Sequence, residues 1–204
     1  MMHKILIIED IGSQIENLKQ YLIDNGICKD DISAPQCYNH PRNTKNKKRY
    51  TADEQYIRAK RILSDNWERH DIFLIDVFLL DVPPQNDENP LVSQRIFEDF
   101  LSENNDFKKA IIKGEKLVIF ITSYGNVPSS FGDGIREINR AYWHDENKPD
   151  LKTSPGDRTA RADCKNPWCR EIKNSITSKK CNPNDCLKNL IMTFIEDGKG
   201  PDYQ

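Results

Sequence analysis

Acidic and hydroxyl side chains close three apolar runs of this sequence, and oxygen-bearing groups of this kind bind hard cations. Glu9 and Asp10 close the first run, Asp76 closes the second, and Thr122 and Ser123 close the third. Carboxylates held close together repel one another, and a divalent cation such as Mg²⁺ relieves that repulsion. These residue types therefore predict a small cation site, provided that the fold brings the ends of the runs together.

The apolar runs also predict the elements that would position these side chains. Each is a continuous stretch rich in β-branched residues, which is typical of a strand buried on both faces of a parallel sheet. Amphipathic helical stripes lie between the runs, and the whole pattern sums to five strands and five helices. That alternation predicts an α/β fold with helices on both faces of the sheet, joined by right-handed crossovers. Because ligands bind at the carboxyl ends of strands in such sheets, we expect the acidic and hydroxyl residues to share one edge.

Weaker signals mark the second half of the chain. An apolar stripe with helical spacing predicts the fourth helix, and residues 172–178 predict the fifth strand. The stripe consists of Phe131, Ile135, Ile138 and Tyr142. A helix with cap-forming residues and a proline at its start follows, and it ends at Gly198. Polar stretches at about 40–51 and 144–170 lack such patterns, so we interpret them as insertions into a single domain covering residues 1–204.

Composition narrows the class of protein. The chain has 204 residues, 37% hydrophobic and 30% charged, with a formal net charge of −2. A nearly neutral balance argues against nucleic-acid binding by bulk charge. No apolar run approaches the roughly 18 residues of a membrane span. A predicted strand begins within a few residues of the N-terminus and leaves no room for a signal peptide, so we expect a cytoplasmic protein.

With its strand ends in this order, the chain resembles a response-regulator receiver domain, the phosphoacceptor module of two-component signalling. The resemblance rests on Glu9-Asp10 after the first strand, on Asp76 followed by Val77-Phe78-Leu79-Leu80-Asp81, and on Thr122-Ser123 after the fourth strand. It covers about residues 3–40, 52–143 and 171–196. It implies a flavodoxin-like sheet of five parallel strands in the order 2-1-3-4-5, with helices on both faces.

The resemblance also implies roles for individual residues. Asp76 would accept a phosphoryl group from a sensor histidine kinase or a phosphotransfer protein. Glu9, Asp10 and Asp76, together with the backbone carbonyl of Phe78, would hold Mg²⁺. The hydroxyl of Thr122 would donate to a phosphoryl oxygen, which makes this residue part of the switch.

The family further implies a lysine at the end of the fifth strand, where it would contact the phosphoryl group. Lys180 is the first choice because the last predicted helix begins just after it, and Lys179 is the near alternative. Lys148 ranks third: it is followed by Pro149, as the family lysine usually is, but no apolar strand precedes it. Cys181 stands where a proline usually follows that lysine.

The cysteines pose a separate question. Two pairs have four residues between their members, at the wide end of zinc-finger spacing, and they are Cys164 with Cys169 and Cys181 with Cys186. Ordinary reduced thiols are the preferred interpretation, since free cysteine often serves as a small buried residue. A four-cysteine zinc site and a disulfide remain as alternatives.

The sequence thus predicts a stand-alone receiver domain, a regulatory phosphoprotein rather than an enzyme, whose output runs through a protein partner. No direct contact with nucleic acid or membranes is expected, and a homodimer is left as an alternative. One rival hypothesis is a receiver-like adaptor that never takes phosphate. A second is a magnesium-dependent phosphohydrolase, which would need another acid near Asp76.

Overall fold

The computed structural model describes residues 3–35, 52–77, 79, 92–122, 139–142 and 183–198. Its strands are β1 (Ile5–Ile8), β2 (Ile32–Ser33), β3 (Ile72–Asp76), β4 (Leu117–Thr122) and β5 (Asn139–Tyr142). Its helices are α1 (Gly12–Asp24), α2 (Ala52–Asn66), α3 (Val92–Glu103), α4 (Asn105–Ile112) and α5 (Pro183–Asp197). Short 3-10 turns lie at Lys29–Asp31 and Trp67–Arg69.

Four strands form a parallel sheet in the order β2-β1-β3-β4. Ile8 of β1 lies beside Ile75 of β3, and Asp76 lies beside Ile121 of β4. The carboxyl ends of these strands therefore meet at one edge of the sheet. The prediction of an α/β fold built on a parallel sheet is confirmed, and a flavodoxin-like layout is compatible with it.

The chain departs from the sequence-based prediction beyond β4. The backbone of Asn139–Tyr142 runs parallel to β4, with Ile119 beside Asn139 and Thr122 beside Tyr142. The helix predicted from the stripe that ends at Tyr142 is therefore wrong over these residues. Pairing with the open side of β4 outweighs the local helical spacing, because tertiary contacts routinely override such weak preferences. The strand predicted at 172–178 lies outside the described residues.

Side chains of the strands alternate between two apolar layers. Leu6, Phe73 and Phe120 point into a layer shared with α2, α3 and α4. Ile7 and Leu74 point into a second layer shared with α1 and α5. The core strands read as continuous apolar runs because both of their faces are covered.

A break separates α3 from α4 at Asn104. The side-chain oxygen of Asn104 accepts the backbone N–H of Phe107 at 2.9 Å, which caps the start of α4. Phe107 then turns inward and makes edge-to-face contacts with Phe73 at 5.2 Å and with Phe100 at 5.1 Å. The break thus serves to place an aromatic ring in the first apolar layer.

Both predicted insertions, at about 40–51 and 144–170, lie outside the described residues. Among the residues that the structure describes, no helix is long and apolar enough to cross a membrane.

Replacing Phe107 by alanine tests the role of α4 in the core. Because Phe107 is fully buried, we expect Phe107→Ala to lower the free energy of unfolding by about 3–5 kcal/mol. Urea denaturation followed by circular dichroism measures the change. Ile112→Ala on the same helix is the control, because its side chain is 40% exposed. Equal losses in the two variants would contradict this placement of α4.

Candidate functional site

Three carboxylates meet at the carboxyl edge of the sheet. Asp76 is the last residue of β3, and Glu9 and Asp10 follow directly on β1. One oxygen from each of these side chains lies within 4.8 Å of the other two. The side chains are nearly enclosed, since Glu9 is 3% exposed and Asp10 and Asp76 are each 7% exposed. The structure therefore brings together the three acidic residues that the sequence singled out.

Register explains why these residues meet. The parallel pairing of β1 with β3 runs from Ile5 beside Ile72 to Ile8 beside Ile75. One further step along both strands places Glu9 beside Asp76. A shift of one residue in either strand would separate the two carboxylates and turn every side chain of that strand to the opposite face.

Glu9 also shapes the turn that leads from β1 into α1. Its Oε1 atom accepts the backbone N–H of Asp10 at 3.0 Å and the backbone N–H of Ile11 at 2.9 Å. The residue at the start of α1, Ile11, has no side chain that could accept these amide protons. Glu9 therefore fixes the strand-to-helix turn with one oxygen, and its side chain also has a hydrogen bond with that of Asp10.

Burial and charge change the protonation of Glu9. The pKa of Glu9 rises from 4.5 to about 8, first because burial disfavours its charged form and second because the carboxylate of Asp76 repels it. Hydrogen bonds from the turn amides and from Asp10 act in the opposite direction. Glu9 would therefore have to release its proton before it could bind a cation, because ligand carboxylates must be deprotonated.

The donor set fits a small hard cation. It offers three carboxylate oxygens within 4.8 Å of one another and little exposed surface. Mg²⁺ takes oxygen ligands, usually only one or two of them carboxylates, and keeps several waters or phosphate oxygens. Glu9, Asp10 and Asp76 are therefore the described residues that could hold such an ion.

The remaining predicted site residues are only partly described. Thr122 is the last residue of β4, and its backbone lies at the same edge of the sheet. The side chains of Thr122 and Cys186 lie outside the described residues, although the backbone of Thr122 belongs to β4 and that of Cys186 to α5. All atoms of the other candidates lie outside the described residues, and those candidates are Phe78, Ser123, Lys148, Lys179, Lys180, Cys164, Cys169 and Cys181.

One residue near the site was missed in the sequence. The hydroxyl of Ser93, at the start of α3, donates to the backbone carbonyl of Val77 at 2.6 Å. Ser93 is fully buried. A serine three and four positions before Ile96 and Phe97 lies on the apolar face of the helix, and a hydroxyl buried there needs a hydrogen-bond partner. The position of Ser93 on the apolar face of this helix is the sequence signal that could have identified it.

The raised pKa of Glu9 predicts a pH-dependent stability. In the folded chain Glu9 keeps its proton up to about pH 8, whereas the unfolded chain releases it near 4.5. The folded state binds more protons between these values, so the contribution of Glu9 to the free energy of unfolding falls as pH rises through this window. We expect Glu9→Gln, measured by urea denaturation in a chelator, to flatten the pH dependence of stability.

Glu16→Gln in α1 is the matched control, because the side chain of Glu16 is 73% exposed. That variant should keep the pH slope of the parent chain. The same slope in Glu9→Gln as in the parent would contradict a buried, protonated Glu9.

No family model, no curated protein and no solved structure matches this chain. The proposed function therefore rests on the cluster of Glu9, Asp10 and Asp76 at the carboxyl edge of the sheet.

Proposed function

We propose that the chain is a phosphorylation-dependent signalling switch of the receiver type, in which Asp76 accepts a phosphoryl group in the presence of Mg²⁺. One observation carries the proposal: three buried carboxylates from the ends of β1 and β3 come within 4.8 Å of one another. Their order along the chain and their place at the carboxyl edge of a parallel sheet are those that a receiver phosphoacceptor site requires. The fifth strand and the flavodoxin-like order belong to the same proposal.

Asp76 is the proposed nucleophile. One of its carboxylate oxygens attacks the phosphorus of a phosphohistidine on the donor protein. The new O–P bond forms as the P–N bond breaks, and the electron pair of the P–N bond returns to the imidazole nitrogen. The donor is a sensor histidine kinase or a phosphotransfer protein.

Charge neutralisation is the main catalytic need in such a transfer. A bound Mg²⁺ would supply it by lowering the repulsion between the phosphoryl group and the carboxylates. Glu9, Asp10 and Asp76 would hold the ion, together with the backbone carbonyl of Phe78. The hydroxyl of Thr122 donates to a phosphoryl oxygen from the end of β4.

A lysine completes the proposed site, and the observed position of β5 changes the ranking of the candidates. The strand that pairs with β4 ends at Tyr142. Lys148 is the first lysine after that strand, and Pro149 follows it. Lys180 comes just before the last helix, but Lys148 follows the strand that pairs with β4, so the proposal places Lys148 first.

The output of the switch is proposed to run through a protein partner. Phosphorylation adds about two negative charges and three acceptor oxygens at the edge of the sheet. The segment after β4 responds through Thr122, and the neighbouring surface then binds or releases the partner. The chain acts in the cytoplasm as the substrate of a kinase, and its own hydrolysis of the acyl phosphate is slow.

A small phosphodonor tests the nucleophile. We expect acetyl phosphate with Mg²⁺ to add one phosphoryl group to the intact protein, measured by mass spectrometry, and chelation of Mg²⁺ to prevent it. Asp76→Asn should abolish the addition, because the amide is a poor nucleophile for phosphorus. Asp71→Asn is the control: Asp71 directly precedes β3 and lies at the opposite end of that strand.

Different outcomes separate the rival functions. Absence of any phosphoryl adduct in the parent chain would favour the adaptor. Steady release of inorganic phosphate over many turnovers would favour the phosphohydrolase. An adduct that persists in Asp76→Asn would place the phosphoacceptor elsewhere.

The ranking of the lysines is tested in the same assay. We expect Lys148→Ala to slow phosphoryl addition by about a hundredfold, because a positioned charge that stabilises the transferring group is lost. Lys180→Ala should leave the rate within about twofold of the parent chain. The reverse result would show that Lys180 fills the pocket and that β5 does not end beside it.

A further inference from the structure

Val77, the residue that follows Asp76, is fixed by three contacts. The N–H of Val77 donates to the carbonyl of Ile121 in β4 at 2.9 Å. The carbonyl of Val77 accepts the hydroxyl of Ser93 at 2.6 Å. The side chain of Val77, 2% exposed, packs in the apolar layer with α2, α3 and α4. A residue fixed in this way has little freedom to rotate.

Two of these contacts arise from ordinary features of the fold, and the third does not. The bond to β4 continues the ladder of the sheet by one step, and the packing of Val77 follows from the alternation of strand side chains. The bond from Ser93 joins the start of α3 to the end of β3 across 16 positions in the sequence.

Alternation links this bond to the acidic cluster. Ile75 and Val77 face the layer with α3, so the side chain of Asp76 between them projects from the other side of the strand. The Ser93 bond holds the peptide unit that begins at the Val77 carbonyl, one unit beyond Asp76. A displacement of the Val77 backbone would therefore move the carboxylate of Asp76 relative to those of Glu9 and Asp10. Mg²⁺ tolerates such displacement poorly, because it demands near-octahedral geometry at about 2.0–2.1 Å from its ligands.

From these contacts we infer that Ser93 is a positioning residue of the cation site: its hydroxyl fixes the backbone at Val77 and thereby the carboxylate of Asp76. Ser93 does not touch the cation. This inference rests on the proposed cation site at Glu9, Asp10 and Asp76. Supporting residues of this kind commonly change metal affinity by tenfold or more when they are removed.

Binding of Mn²⁺ alone tests the inference, because Mn²⁺ accepts the same oxygen ligands as Mg²⁺. Free Mn²⁺ is counted by electron paramagnetic resonance during titration of the full chain. We expect Ser93→Ala to weaken the affinity by about tenfold and Ser93→Thr, which keeps the hydroxyl, to restore most of it. Asp76→Asn should weaken it further, since it removes a ligand.

Ile96→Val is the matched control for lost stability. Ile96 lies on the same helix and is 2% exposed, in the layer that also holds Val77. This variant should lower the midpoint of thermal unfolding while leaving the Mn²⁺ affinity within about twofold of the parent chain. If loss of stability in α3 were the cause, Mn²⁺ binding would weaken in both Ser93→Ala and Ile96→Val. That result would overturn the inference.

The remaining outcomes distinguish failure of the proposed role of Ser93 from failure of the proposed cation site. Unchanged affinity in Ser93→Ala, together with lost affinity in Asp76→Asn, would remove the role of Ser93 and leave the cation site intact. Failure of the parent chain to bind Mn²⁺ would remove the cation site, and the role of Ser93 with it. If Ser93→Ala does not fold, Ser93→Cys replaces it as a near-isosteric variant with a weak donor, and the same affinity criterion applies.

Discussion

Register between β1 and β3 is the constraint on which the acidic edge depends. Ile8 lies beside Ile75, so the next residues, Glu9 and Asp76, emerge together at the end of the sheet. Gathering buried carboxylates there is unfavourable by itself, because burial and mutual repulsion both disfavour their charged forms. Apolar layers on both faces of β1 and β3 hold the strands in place despite that repulsion. A site assembled against such opposition is typical of functional positions in proteins.

The sequence predicted the features that depend on strong local patterns. The runs before Glu9 and Asp76 are continuous and apolar because both faces of the sheet are covered. Such runs can be recognised from the sequence alone. Convergence of Glu9, Asp10 and Asp76 then followed from a general property of parallel sheets. The turn role of Glu9 did not follow, because an apolar run shows nothing about which oxygen meets which amide.

Features set by contacts distant in sequence were predicted poorly. Asn139–Tyr142 pairs with β4 although its apolar spacing also suits a helix, and only the presence of an open strand beside it decides the matter. The break at Asn104 places Phe107 against Phe73, a contact that a helical stripe does not encode. Ser93 and Val77 are joined across 16 positions of sequence, and nothing in the sequence between them predicts the bond.

The short strand β2 has a consequence for self-association. Among the described residues, Ile32 and Ser33 are the two that pair with β1 on that side, and long unpaired strand edges are the usual template on which a second molecule adds its own strand. An edge strand of two residues has too few unpaired backbone groups to pair with a strand from a second molecule. Fibril-like stacking through this short strand is therefore disfavoured.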